Sequence, residues 1–157
     1  MKKLSPDDLI KVGKRFLKEE KYEKALAVFH EAIKRTGYQN DNDEDIPPRY
    51  LSYLGLAMAL AEKRFRKGAA VCEKAIKRES HNPILYLNLG KVFAAGGYKR
   101  KAIDAFQKGL KIDEANIEIR AEINKIGVRR KPVIAFLPRT HAVNKVLGKI
   151  IRGSSRS

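Results

Sequence analysis

Cysteine is almost absent from this chain of 157 residues: Cys72 stands alone, so no disulfide can form within it. Histidine is nearly as scarce, and His30, His81 and His141 lie in three unrelated contexts, at no spacing that resembles a zinc site or supplies a shared base. Long apolar runs are missing too. Nowhere do the roughly 18 consecutive apolar residues of a membrane-crossing helix occur, and the opening "MKKLSPDD" places a proline and two aspartates where a signal peptide turns apolar. No glycine-rich loop follows a strand to cradle a phosphate, and no motif sets a nucleophile beside a base. These absences predict a soluble, cytoplasmic, non-catalytic protein that needs no metal and no cofactor.

Acid is also in short supply, 18 Asp and Glu against 34 Lys and Arg, for a net charge of +16. Such a balance points to nucleic acid, an anionic membrane or an acidic protein as partner. Half of the excess is concentrated at residues 127–157, where eight cations (Arg129, Arg130, Lys131, Arg139, Lys145, Lys149, Arg152 and Arg156) occur with no acid. With 43% hydrophobic and 33% charged residues, the chain has the make-up of one soluble globular domain.

Three stretches repeat one pattern. In "LIKVGKRFLKEEKYEKALAVFHEAIKRTG", "LSYLGLAMALAEKRFRKGAAVCEKAIKRES" and "YLNLGKVFAAGGYKRKAIDAFQKGLKIDE", two helical patterns flank a charged turn. A small residue on the first helix (Gly13, Gly55, Gly90) precedes by three a large one (Phe16, Met58, Phe93). A turn aromatic follows (Tyr22, Phe65, Tyr98), then on the second helix a small residue (Ala25, Gly68, Ala102), a bulky apolar or thiol side chain (Phe29, Cys72, Phe106) and a small one again (Ala32, Ala75, Gly109). The alternation predicts paired helices that approach at the small residues, with the large ones filling holes between successive hairpins. The bulky positions are 43 and then 34 residues apart, and the longer interval is accounted for by "YQNDNDEDIPP", an exposed loop by composition.

This pattern resembles the tetratricopeptide repeat, through "LG" at Leu54-Gly55 and Leu89-Gly90 and through "ALAVFHEA" and "AIDAFQKG". It departs from the family at Cys72, at one added residue in the second turn, and at Gly37, Ser80 and Glu114, where a closing proline is usual. The resemblance implies an all-α, right-handed solenoid of three hairpins, at about 6–39, 48–82 and 83–116. "ANIEIRAEINKIG" then reads as a capping helix at about 116–127, with Asn116 as its cap.

In this family the first helices line a concave groove that binds peptides. Carried over, that groove is lined by Asp7, Ile10, Lys14, Leu17 and Lys18, then Arg49, Ser52, Leu56, Ala59 and Leu60, then Ile84, Leu87, Lys91 and Ala94. Chaperone-binding members clamp a terminal carboxylate, but here Ile10, Tyr53, Ile84 and Asn88 fill four of the five matching places and only Lys14 keeps a cation. The expected ligand is instead an extended or helical segment with apolar anchors and an acidic flank, which makes the protein an adaptor or assembly scaffold. Several of these leucines serve equally well as helix-packing residues.

Two other surfaces stand out. Lys63, Arg64, Arg66, Lys67, Lys99, Arg100 and Lys101 form a basic ridge along one edge of the hairpin turns, offset only by Glu62, while Asp41, Asp43, Glu44, Asp45, Glu79, Asp113 and Glu114 mark the opposite edge. In the basic tail at 128–157, prolines bracket an extended segment at 132–138 carrying Val133, Ile134, Phe136 and Leu137. An amphipathic helix at about 141–152 follows, with Val143, Val146, Leu147, Ile150 and Ile151 on one face. The tail is expected to fold back on the repeats. A second copy or a partner protein, and an anionic membrane surface, are the other places it can lie. Nucleic acid bound by ridge and tail is the alternative to groove binding. Against it, Tyr22 and Tyr98 belong to the repeats' packing scheme and do not interleave with the cations.

Overall fold

The computed structural model describes residues 4–36 and 46–127 of the chain. It is all-α among those residues: α1 (Pro6–Lys18), α2 (Tyr22–Arg35), α3 (Pro48–Glu62), α4 (Phe65–Arg78), α5 (Pro83–Ala95), α6 (Lys99–Ile112) and α7 (Ile117–Ile126). The tail segment and helix expected at 132–138 and 141–152, and the acids Asp41, Asp43, Glu44 and Asp45, lie outside the described residues.

Local chemistry sets the helix starts. The Ser5 hydroxyl accepts from the Asp8 N–H at 3.2 Å, Pro6 stands in the first turn, and Asp7 and Asp8 face the positive end of α1. Asn82 caps α5 by accepting from Ile84 at 3.1 Å, and Asn116 does the same for Ile119 at 3.1 Å. The helices then pair as hairpins, α1 with α2, α3 with α4 and α5 with α6, and each second helix also packs on the first helix of the next hairpin. Helix α7 closes the series against α6 and α5.

Within each hairpin a glycine on the first helix makes the hole that the second helix fills. A Cβ on Gly13 would overlap the Phe29 ring, and one on Gly90 would overlap that of Phe106. Phe29 therefore occupies space inside its own hairpin, and it also stacks on Tyr53 of the next, with ring centroids 5.5 Å apart and planes at 19°. The large residues thus fill holes inside hairpins as well as between them. In the second hairpin the smaller Cys72 leaves room for closer approach, so that a Cβ on Gly55 would come within 2.7 Å of the Gly68 carbonyl oxygen.

Cys72 is fully buried, and its thiol donates to the Ser52 carbonyl oxygen at 3.4 Å. Burial pushes its pKa up to about 12, and burial likewise pushes the Tyr53 hydroxyl up to about 12. An unfolded chain releases both protons at lower pH than the folded one, so stability falls as pH rises from the ordinary thiol range toward that value. The thiol is expected to resist iodoacetamide at about pH 8 in the native protein and to react fully in denaturant. Rapid native alkylation would contradict this packing.

All three turns share one backbone device. Glu20 (φ 57°), Lys63 (φ 56°) and Gly97 (φ 80°) adopt the left-handed conformation, each five residues before the small residue of the second helix. Lys21, Arg64 and Tyr98 follow directly as N-caps, and their carbonyls accept from Ala25, Gly68 and Ala102. Tyr98 is therefore equivalent to Lys21 and Arg64. The residue equivalent to Tyr22 and Phe65 in the third turn is Lys99.

Candidate functional site

The first helices of the three hairpins, together with α7, enclose an open groove of ≈ 460 Å³. Of the residues expected there, Lys14, Leu17 and Lys18 from α1, Leu56 and Leu60 from α3, and Leu87, Lys91 and Ala94 from α5 line it together. They meet because positions three and four apart on a helix share a face, and each first helix turns its opposite face to its own hairpin partner.

Ile10, Ser52 and Arg49 do not line the groove. Ile10 is 4% exposed and packs in the core with Leu9 and Phe29, and Ala59 is likewise buried. Ile84 packs against that same core. Ser52 is fully buried, where its hydroxyl accepts from the Asn88 side-chain amide at 3.0 Å. Arg49 is exposed beside the start of α1, holding Asp7 at 2.6 Å while the Tyr50 hydroxyl donates to the same carboxylate at 2.8 Å. Ile10 and Ser52 share a helix face with Lys14 and Leu56, four residues on, but lie one turn nearer the helix starts, and Arg49 lies a further turn back, so the groove opens only over the later turns.

The groove has lining residues that the repeat pattern did not assign to it. Tyr53 and Asn88 form part of its floor, Glu20 and Tyr22 of the first turn close its near end, and Glu118, Glu122 and Lys125 of α7 form its far wall. Those three stand at i, i+4 and i+7, so their common face was available in the sequence, although α7 there reads only as a cap. Asn88 is 1% exposed, with its amide N–H spent on Ser52.

Charge along the groove is uneven. At the α7 wall, Glu122 accepts from Lys125 at 2.9 Å and lies 3.9 Å from Lys91. Burial holds the Lys91 ammonium below its usual pKa, and Glu122 and Glu118 offset part of that effect. At the α1 wall, the Lys14 ammonium lies 5.7 Å from the centre of the Tyr53 ring, a cation–π contact. Neither Lys14 nor Lys18 has an ion-pair partner among the described residues. The site thus offers an apolar floor, one end with its charges paired and one end where Lys14 and Lys18, without ion-pair partners among the described residues, stand with the carboxylate of Glu20.

The seven cations of the ridge are all exposed on the second and third turns, as the pattern places them. The tail residues Val133, Ile134, Phe136, Leu137, Val143, Val146, Leu147 and Ile150 lie outside the described residues. Among the described residues no helix is long and apolar enough to cross a membrane, and no group of His, Cys, Asp and Glu gathers as metal ligands do.

No family sequence model matches the chain, and neither does any curated protein sequence. Solved structures do match. The tetratricopeptide domain of Arabidopsis OM64 is similar at a TM-score of 0.54 and 20% identity, over 78% of this chain and 93% of that one. The Sgt2 tetratricopeptide domain from Aspergillus fumigatus is similar at 0.56 and 16% identity, over 95% and 83%. The second such domain of human RPAP3, solved in complex with an HSP70 peptide, is similar at 0.53 and 19% identity, over 80% and 100%. At these identities the likeness is one of fold, and the fold is that of tetratricopeptide-repeat domains.

Proposed function

Starting from a tetratricopeptide-repeat fold with an open groove across its first helices, we propose that this protein is a non-catalytic adaptor or assembly scaffold whose groove seats a segment of another polypeptide. The observation that carries the reading is the convergence of residues from α1, α3, α5 and α7 on one apolar-floored cavity with Lys14 and Lys18 at one end. The fold supports it: RPAP3 domains of this architecture are solved with HSP90 and HSP70 peptides.

The sequence argues against a terminal-carboxylate clamp of the chaperone kind, since Ile10, Tyr53, Ile84 and Asn88 fill four of the five places of its Lys, Asn and Arg arrangement and only Lys14 stands at the fifth. An internal segment suits the groove better. Apolar anchors lie over Leu17, Leu56, Leu60 and Leu87, and an acidic flank lies over Lys14 and Lys18.

Selection of peptides from a random library against the full chain tests this. Selected peptides are expected to be acidic at one end and apolar in the middle. Leu60→Gln and Lys14→Glu should each weaken them about tenfold, as loss of an anchor or reversal of a facing charge does. Peptides that bind equally well to both variants would contradict the reading.

A further inference from the structure

The register of the third turn leaves Tyr98 only partly committed to packing, its ring meeting that of Phe93 edge-to-face with centroids 6.3 Å apart. Because Tyr98 is the N-cap and not the first residue of α6, it is 42% exposed, whereas Tyr22 and Phe65, one position further on, are half-buried. Its ring stands among cations. An open pocket of ≈ 370 Å³ lies between the second and third turns, lined by Lys63, Arg64, Phe65, Arg66, Lys67 and Tyr98. The two turns are in direct contact there, since a Cβ on Gly96 would meet Phe65 Cβ at 3.1 Å and the Tyr98 ring at 2.9 Å.

The electrostatics of this surface are one-sided. The only acid in these two turns, Glu62, lies 3.4 Å from Arg64. Lys63 lies over the Tyr22 ring at 5.7 Å, and Lys101 over Phe93 and Tyr98 at 5.6 and 5.8 Å. Arg66, Lys67, Lys99 and Arg100 have no ion-pair partner among the described residues. The first turn carries Glu19 and Glu20, which confines the basic surface to the second and third.

We propose that this turn edge is a second binding surface, separate from the groove, and that it takes single-stranded nucleic acid. Four unpaired cations in a short span suit a backbone with one negative charge per nucleotide. The exposed part of the Tyr98 ring among them suits an unpaired base, which stacks without regard to sequence. A duplex keeps its bases stacked internally and has none to give Tyr98. An acidic polypeptide satisfies the cations but leaves the ring unused.

The test is fluorescence anisotropy of a labelled oligo-uridylate with the full chain, across a salt series. Lys67→Ala, Lys99→Ala and Arg100→Ala combined should weaken binding about tenfold or more and flatten the log–log salt slope by up to about 2, at roughly 0.7 per lost phosphate contact. Tyr98→Ala should weaken it about five- to tenfold, while Tyr98→Phe, which keeps the ring, should stay within about twofold. If Tyr98→Ala alters the melting transition, the combined variant decides, because its three positions are exposed. Unchanged binding in the combined variant would overturn the proposal and assign any affinity to the cations beyond residue 127. Equal affinity for polyglutamate, with no dependence on Tyr98, would overturn it in favour of an acidic polypeptide.

Discussion

Phe106→Ala is expected to cost the fold about 3–5 kcal/mol, near the upper end for a buried aromatic. The ring is fully buried, it sits over Gly90, and it belongs to the cluster of Leu87, Ala102 and Ile119 on which α7 closes. Cavities cost most where the surroundings cannot collapse. Here the opposing wall is a glycine with no side chain to move inward, so little relief is available. Urea titration should show the midpoint falling in step with that loss and the slope unchanged. Loss of about 1 kcal/mol or less would mean the ring does not fill the third hairpin as described.

Gly68→Ala tests the packing by sign. Alanine is the better helix former by about 1 kcal/mol, so propensity alone makes the variant more stable. Contact geometry opposes it. The new Cβ would lie 2.5 Å from the Gly55 carbonyl oxygen and 2.7 Å from Ala59 Cβ, and neither is the end of a flexible side chain. Overpacking of this kind costs about 1–3 kcal/mol. We expect net destabilisation in the same titration, with α3 and α4 pushed apart. A stabilised variant would show that the two backbones do not touch.

Much of this was legible in the sequence because it is carried by size. Small and large residues recur at helical spacing, and the structure turns the recurrence into holes and knobs at Gly13 and Phe29, Gly55 and Cys72, Gly90 and Phe106. Two things were harder to read. The strip of a helix that faces a groove is narrow and runs along only part of its length, so a face assigned through Ile10 and Ser52 misses Tyr53, one residue beyond Ser52, and the equivalent Asn88, which line the floor although both are nearly buried. Turn register was the other. An aromatic in each turn invites alignment of Tyr98 with Tyr22 and Phe65, but the left-handed residue is what fixes the backbone, and counting from Gly97 shifts Tyr98 to the solvent-facing cap. Glu118, Glu122 and Lys125 were visible as one face of α7, but which neighbour that face meets depends on how α7 packs on α5.

The most direct measurement is nuclear Overhauser contact mapping on the full chain bound to a peptide selected as above. Contacts from the peptide to Tyr53, Leu60, Leu87 and Lys91 are the predicted result, with its acidic end beside Lys14 and Lys18. Contacts confined to the turn residues Phe65 and Tyr98, or to residues beyond 127, would contradict the assignment of the groove as the seat of another polypeptide.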